Sequence, residues 1–209
     1  MVEVSVNSIS SEHQSKIVEI IAVAQKRFGL FGLNKTSMRE IAEEVGLSKA
    51  SLYYYFADKS DLYRAVVEKE HKELIRVINE NILVINDPGQ MLIEFVQVRT
   101  SYFRTMLNLN QLKLEDYKFL EAFKSKIWLQ FQQNEIEIVQ MILQKGIDKQ
   151  IFHVSELNET VLLFLDVLRG LRRNVITAKG KYAINDIEYE QLAGKSKLFT
   201  TIFIQGITK

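Results

Sequence analysis

Residues 36–62 read TSMREIAEEVGLSKASLYYYFADKSDL and predict two short helices joined by a tight turn, followed by the start of a third helix. Apolar residues recur at helical spacing before Gly46, and a glycine there accepts the left-handed conformation that ends a helix. Ser48 is a favourable N-cap for a second helix over residues 49–55, as Asp58 is for the next one. Two short helices around a glycine-containing turn form a helix-turn-helix, whose second helix can enter a DNA major groove.

The second of these helices carries polar and aromatic residues outside the face that can pack. Leu52 and Phe56 lie one helical turn apart and are expected to face the core. Three consecutive tyrosines on so short a helix cannot all point inward, so their hydroxyls are available to donate hydrogen bonds to phosphate oxygens. The alternative is an ordinary helical hairpin with a tyrosine-rich packing face. The residues left for the surface are Lys49, Ala50, Ser51, Tyr53, Tyr54 and Tyr55.

The ordered pattern is longer than the bare motif and resembles the N-terminal domain of the TetR family of bacterial transcriptional regulators. That domain has an alanine-bearing first helix, then Phe, Gly, Thr, Ile-Ala, Gly-Val-Ser, Leu-Tyr-x-x-Phe and Lys. Ala50 stands where many members carry Gly, and Tyr55 where His is frequent, so the operator sequence stays open. This chain supplies, in the same order, Ala22, Ala24, Phe28, Gly32, Thr36, Ile41, Ala42, Gly46, Leu47, Ser48, Leu52, Tyr53, Phe56, Lys59 and Leu62.

The resemblance implies a set of DNA-contacting residues. Backbone N–H groups at the start of the first helix of the motif would meet a phosphate, and the first turn of the second helix would read bases. Tyrosine hydroxyls and a lysine before the next helix would hold further phosphates. Tyr54 has two open roles, contact with DNA or packing beneath the recognition helix. The implied residues are Thr36, Ser37, Arg39, Lys49, Ala50, Ser51, Tyr53, Tyr54, Tyr55 and Lys59.

The composition fits a helical protein with no strong charge bias. The 209 residues are 47% hydrophobic, enough for one large domain or two small ones. Pro88 is the only proline, so the chain has few helix breakers. The formal net charge is +1, and the first 72 residues hold ten basic against ten acidic side chains. DNA binding would therefore depend on where the lysines lie, with modest non-specific affinity and a shallow salt dependence.

Residue types and segments that the sequence lacks exclude several kinds of protein. There is no cysteine, hence no disulfide and no thiolate metal site. No apolar run approaches the roughly twenty residues of a membrane helix. The N-terminal MVEVSVNSIS lacks the basic start and apolar core of a secretory signal. We therefore expect a soluble cytoplasmic protein, without metal or cofactor.

The helical pattern and the resemblance together predict an all-α fold. Residues 1–62 would form a three-helix helix-turn-helix DNA-binding domain, and residues 63–209 a helical bundle for ligand binding and dimerisation. A long helix from about Glu115 is expected to end at Gly146. A loop with a short extended piece would follow it.

The last two predicted helices carry apolar stripes typical of an interface. In the TetR family the corresponding pair packs against its copy as a four-helix bundle, which implies a homodimer. The alternative is that both helices complete the core of a single chain. A dimer would place two recognition helices about 34 Å apart, in successive major grooves, and predicts a palindromic operator. The interface residues would be Leu162, Leu165, Leu168, Leu198 and Ile202.

The middle of the chain, between about Gln90 and Lys145, is rich in aromatic residues. The family binds its ligands there, which implies a pocket for a small apolar or amphipathic effector. A ligand would favour a dimer whose recognition helices no longer fit the groove spacing. The alternative is that these aromatic side chains are simply core. The pocket residues would be Phe95, Arg99, Tyr102, Phe103, Phe123, Trp128 and Phe131.

Other functions find little support in the sequence. The three histidines are far apart, and no metalloprotease, phosphate-loop or serine-hydrolase motif occurs. We therefore expect no enzyme, although a helical-bundle enzyme with an unrecognised site stays open. A ligand sensor or interaction module that has lost operator binding would carry acidic or bulky residues at positions 49–51, unlike Lys49, Ala50 and Ser51. Since repression is the commoner mode of the family, the sequence predicts a ligand-responsive repressor.

Overall fold

The computed structural model describes the backbone of residues 3–105, 121–177 and 185–209, and the side chains of residues 11–102, 129–175 and 185–209. The described chain is helical, and its only β-pairing is one isolated bridge, so the predicted all-α fold is confirmed. The helices are α1 (Glu3–Phe31), α2 (Met38–Val45), α3 (Lys49–Tyr55), α4 (Lys59–Ile82), α5 (Pro88–Thr105), α6 (Glu121–Asp148), α7 (Leu157–Thr177) and α8 (Asp186–Ile207).

The chain forms two compact units, one ending at Glu70 and one beginning at His71, both within α4. The domain boundary placed after residue 62 stays a prediction. In the first unit, α2 lies against α1 and α3. Its core contains the rings of Phe28 and Tyr63, which meet edge to face with centroids 5.4 Å apart. The apolar residues of the helix-turn-helix that join this core are Ile41, Ala42, Val45, Leu52 and Phe56.

In the second unit, α5 packs against α6 and α8, and α7 packs against the same two helices. An apolar interior follows from these contacts, and it includes Phe95, Ile142, Phe164 and Leu165. Phe164 also stacks with Phe199 on α8, with ring centroids 5.5 Å apart. In the part of the chain that is described, no helix is both long and apolar enough to cross a bilayer.

The expectation that Gly146 ends its helix is wrong, because α6 continues to Asp148. The buried ring of Phe152 packs directly on this glycine, and a Cβ built there would lie 2.0 Å from a ring carbon. Gly146 is thus needed for close packing, not for a helix end. The expected extended piece is a single antiparallel bridge between Phe152 and Thr208.

Candidate functional site

Local backbone chemistry fixes the geometry of the helix-turn-helix. The Ser37 hydroxyl accepts a hydrogen bond from the Glu40 N–H, and the Glu40 carboxylate accepts one from the Ser37 N–H, a complete capping box at the start of α2. Gly46 ends that helix with φ of +73°, in the left-handed region. The Ser48 side chain then accepts from the Ser51 N–H at 3.0 Å and starts α3. The Gly46 turn and the Ser48 cap agree with the sequence prediction, whereas the capping box at Ser37 was not predicted.

The N-terminal turn of α3 presents Lys49 and Ala50 to solvent, with Ser51 partly exposed beside them. Leu52 is buried beneath. The Lys49 ammonium lies 5.8 Å from the centre of the Tyr53 ring, within cation–π range. A lysine, two short side chains and an exposed tyrosine therefore share the outer face of this helix. That face can offer hydrogen-bond donors to DNA without a steric barrier at its N-terminus.

Tyr54 and Tyr55 form an aromatic cluster with a residue that the sequence did not single out. His13 on α1 stacks on Tyr55 with ring centroids 5.0 Å apart, and meets Tyr54 edge to face at 5.9 Å. Tyr54 is nevertheless 76% exposed, so the packing covers only part of its ring. Helix α1 thus supports the C-terminal half of α3. Helical periodicity and capping residues, the signals used to read the sequence, do not indicate this contact between α1 and α3.

Thr36 and Lys59 hold the segment that leads into α2. Thr36 is only 2% exposed, and its hydroxyl donates to the Gly32 carbonyl at 2.9 Å. The Lys59 ammonium donates to the carbonyls of Leu33 at 2.8 Å and Thr36 at 3.1 Å. Both side chains therefore have structural partners. Their predicted phosphate contacts stay predictions that rest on the backbone N–H groups near Thr36 and on the remaining ammonium proton of Lys59.

Ser37, the N-cap of α2, and Arg39 in the first turn of that helix complete the predicted set, and both are exposed. Hydrogen bonds from the hydroxyl and the N–H of Ser37 lower the pKa of Glu40, which keeps this cap ionised. Arg39 pairs with Glu43 at 2.8 Å, and that hydrogen bond raises the pKa of Arg39. Such an exposed pair is weak. It leaves the guanidinium of Arg39 free to exchange its partner for a phosphate.

Comparison with known proteins agrees with this geometry. The family model for bacterial regulatory proteins, tetR family, matches residues 20–66. A transcriptional regulator from Cytophaga hutchinsonii, known from its crystal structure, is 34% identical in sequence. The match covers 91% of this chain and 97% of that one, with a TM-score of 0.82. This chain belongs to the TetR family.

Two further relatives are named repressors. The transcriptional repressor AcnR of Corynebacterium glutamicum is 23% identical over 176 residues, which cover 81% of this chain and 86% of AcnR. SmeT, the repressor of the Stenotrophomonas maltophilia multidrug efflux pump SmeDEF, shares the fold with a TM-score of 0.66 at 13% identity, over 92% of this chain and 90% of SmeT. TetR-family proteins are transcriptional regulators and not enzymes. The chain is a DNA-binding transcriptional regulator with a helix-turn-helix.

Only part of the pocket predicted for this TetR-family chain lies within the described residues. Phe95, Arg99 and Phe131 are buried, and Tyr102 is partly exposed. The side chains of Phe103, Phe123 and Trp128 lie outside the described residues. Arg99 is not an isolated polar group, because it forms a buried ion pair with Glu135 of α6.

The structure adds a second polar residue to this region that the sequence did not single out. His71 of α4 stacks on Phe131 with ring centroids 4.4 Å apart. Burial lowers the pKa of His71 to about 4; the nearby Glu135 carboxylate opposes that shift, and Arg172 adds to it. The imidazole is therefore neutral near pH 7. His71 lies on α4, outside the segment between about Gln90 and Lys145 in which the sequence predicted the pocket.

An open cleft of about 370 Å³ lies elsewhere in the second unit, between α5 and α8. Its wall combines Glu94 and Glu190 with Lys197, so it has no consistent charge. None of the predicted pocket residues lines it. In the described part of the chain, no group of acidic or histidine side chains has the geometry of a metal site.

The predicted dimer residues of this TetR-family chain fall into two sets. Leu165 and Leu168 are buried within the second unit, where they contribute to its own core. Leu162, Leu198 and Ile202 are exposed on α7 and α8. Of the predicted residues, only this exposed set can offer apolar surface to a second copy, and α7 and α8 also expose Leu163 and Ile187. The dimer itself stays a prediction.

Proposed function

We propose that this TetR-family chain is a ligand-responsive repressor that binds a palindromic operator as a homodimer. The observation that carries the proposal is the outer face of α3, where Lys49, Ala50 and Ser51 lie at the surface of a helix whose N-cap is Ser48. The named roles of AcnR and SmeT support repression as the mode of action. A repressor of this kind would act in the cytoplasm, where it meets chromosomal DNA.

Operator recognition in this proposal divides between base and phosphate contacts. Lys49, Ala50 and Ser51 read base edges in the major groove. Hydroxyl groups of Tyr53 and Tyr55 bind phosphates, since phosphate contacts fix the register of the protein on the duplex. The remaining contacts come from Thr36, Ser37 and Arg39 around the start of α2, from Tyr54 on α3, and from Lys59 at the start of α4.

Dimerisation would follow from the apolar residues that α7 and α8 leave exposed. Leu198 and Ile202 lie one turn apart on α8, and Leu162 is exposed on α7. A two-fold pair of chains would present two copies of α3 to half-sites one helical turn apart, about 34 Å along the DNA. The symmetry of the protein then requires a palindromic operator.

The effector would act on the second unit. In this proposal residues 1–62 hold the DNA, while residues 63–209 bind the ligand and the second copy. Of the predicted pocket, the structure describes the buried side chains of Phe95, Arg99 and Phe131 and the partly exposed side chain of Tyr102. Ligand binding would release the operator by favouring a dimer with a different spacing of the two α3 helices.

The test is selection of bound duplexes from a random library at moderate salt, followed by anisotropy titration of the enriched site. We expect a palindrome with half-sites one helical turn apart. Lys49→Ala should weaken binding about tenfold, since a good base contact contributes about 1–3 kcal/mol. Lys26→Ala is the matched control, because it removes an exposed lysine of the same unit on α1.

Two results would contradict the proposal. An enriched site without two-fold symmetry would reject the homodimeric operator. Equal effects of the Lys49 and Lys26 variants would reject α3 as the reading element. Repression is tested separately, by the output of a reporter placed behind the selected site in the presence and absence of the chain.

A further inference from the structure

Lys49 and Tyr53 form a pair on one side of α3 that is separate from the other two tyrosines. The Lys49 ammonium lies 5.8 Å from the centre of the Tyr53 ring, and the two residues are one helical turn apart. Tyr54 and Tyr55 contact each other and His13 instead. The consecutive tyrosines therefore differ in what they can do, since the ring of Tyr53 contacts a residue that is predicted to read bases.

The charge of Lys49 is available to DNA. Helix α3 itself contains no acidic residue. The glutamates of the neighbouring α2 are engaged elsewhere, because Glu40 belongs to the capping box and Glu43 and Glu44 each pair with an arginine. Within the part of the chain that the structure describes, Lys49 forms no ion pair, and its ammonium contacts the Tyr53 ring.

The Tyr53 ring restricts where the Lys49 ammonium can lie. A lysine is a flexible point charge, and such a charge binds a phosphate as well as a base edge. Attraction to the face of an aromatic ring favours the positions beside that ring. Tyr53 is 43% exposed, so the contact lies at the surface of α3. The neighbouring Ala50 is too short to keep this side of the helix away from base edges.

An ammonium held in this way fits one base edge best. It has three N–H donors and no acceptor. In the major groove, guanine presents two adjacent acceptors, O6 and N7, whereas adenine has an amino donor beside its N7. Cytosine offers a donor, and thymine offers the O4 acceptor beside a methyl group. Guanine is therefore the base that the Lys49 ammonium should prefer.

Ser51, which is also predicted to read bases, discriminates less between them. Its hydroxyl lies 2.8 Å from the hydroxyl of Ser48, and its N–H donates to the same Ser48 oxygen at 3.0 Å. A hydroxyl can also donate to an acceptor or accept from a donor. The preference of α3 for one base over another therefore depends more on Lys49 than on Ser51.

Resting on the proposed function, we propose that Tyr53 is a specificity-determining residue, whose ring positions the Lys49 ammonium on O6 and N7 of a guanine in each operator half-site. The Tyr53 hydroxyl keeps its separate contact with a phosphate. Through the hydroxyl, Tyr53 increases affinity for any sequence, and through the ring it creates a preference for guanine. The two effects can be separated, because phenylalanine removes only the hydroxyl and leucine removes the ring as well.

The first experiment locates the guanine with base analogues. Each guanine of the selected operator is replaced in turn, in both half-sites, by 7-deazaguanine, which lacks N7, or by inosine, which keeps O6 and N7. Anisotropy titration with the full chain should find a position where 7-deazaguanine weakens binding about tenfold and inosine does not. Lys49→Met should bind the two duplexes equally, since it has no N–H group to donate to N7.

Two variants of Tyr53 then separate the ring from the hydroxyl. Tyr53→Phe should weaken binding to every duplex by the same factor and keep the full penalty for 7-deazaguanine. Tyr53→Leu should reduce that penalty to about threefold, because the ammonium is no longer held beside a ring. Tyr54→Leu is the matched control, since it removes an exposed ring of α3 that contacts His13 and Tyr55. It should keep the full penalty.

Several results would overturn the inference. Tyr53→Leu with the full penalty for 7-deazaguanine would do so, as would an equal reduction of the penalty by Tyr54→Leu. An operator without any guanine whose penalty depends on Lys49 would also reject it. In each of these cases a palindromic operator bound by the wild type would leave the repressor proposal intact. Selection of no palindrome would reject the proposed function itself, and this inference with it.

Discussion

The imidazole of His13 stacks on the phenol ring of Tyr55, with the two centroids 5.0 Å apart and the planes inclined by 30°. His13 lies on α1 and Tyr55 at the end of α3, so the first helix of the chain supports the helix that would enter the groove. Tyr54 closes the group, with its ring 5.3 Å from that of Tyr55. Orientation of the tyrosine hydroxyls therefore depends on a residue outside the helix-turn-helix.

Replacing His13 by alanine should weaken operator binding threefold to tenfold. An aromatic pair contributes about 0.5–1.5 kcal/mol, and its loss frees the Tyr55 ring to adopt orientations that do not meet a phosphate. The measurement is anisotropy titration of a labelled operator. His13→Phe is the matched variant, because it restores a flat ring at the same position.

Recovery by phenylalanine separates ring packing from a direct contact between the imidazole and DNA. If His13→Phe binds as weakly as His13→Ala, the imidazole nitrogens act on the DNA themselves, and the stacking role is wrong. Circular dichroism of both variants should show an unchanged helical content.

Lys59→Met should lower the stability of the chain as well as its affinity for DNA. The ammonium group donates to two backbone carbonyls, those of Leu33 and Thr36. Leaving a partly buried carbonyl without a donor costs about 1–3 kcal/mol. Urea unfolding measures this loss, and Lys35→Met, an exposed lysine of the same segment, should change stability by less than about 0.5 kcal/mol. Full stability with weak DNA binding would instead make Lys59 a phosphate contact alone.

Features with local causes were predictable from the sequence, whereas those that depend on distant partners were not. Gly46 ends α2 because the turn itself needs a left-handed residue. Gly146 looks the same in sequence, yet it lies inside α6 because a ring six residues later packs on it. Likewise, the bonds of Lys59 span 23 and 26 residues. Helical periodicity and capping residues do not indicate contacts between distant parts of the chain. For the same reason, the buried positions of His71 and Glu135 were not predicted.

Gly146→Ala should destabilise the chain by about 1–3 kcal/mol. The new Cβ would fall 2.0 Å from the Phe152 ring, and relieving such a clash in a packed core has about this cost. A double-mutant cycle in urea provides the control. In a Phe152→Ala background the clash is gone, and Gly146→Ala should then be neutral or slightly stabilising because alanine favours helix. An unchanged cost in that background would show that the ring is not the cause.

Leu198→Arg should convert the proposed dimer into a monomer and abolish operator binding. Leu198 is 61% exposed on α8, and a charge at the centre of an apolar interface stays unpaired there. Sedimentation equilibrium measures the mass. Leu129→Arg is the matched control, since Leu129 is equally exposed, at 61%, on α6. Loss of the dimer in both variants, or in neither, would contradict an interface formed by α7 and α8.

His71 should make the stability of the chain depend on pH. Its folded-state pKa of about 4 lies below the ordinary value of 6.5, so between these values the unfolded chain binds a proton that the folded chain does not. Stability is therefore complete above pH 6.5 and is lost as the pH falls toward 4. At pH 5 the loss amounts to about 2 kcal/mol.

Urea unfolding at pH 7.5 and pH 5 measures this loss of stability, with His71→Phe as the comparison. Because all other titrating groups are shared, the variant should lose about 2 kcal/mol less than the wild type over this interval. An equal loss would mean that the His71 imidazole is protonated in the folded chain and has a partner there.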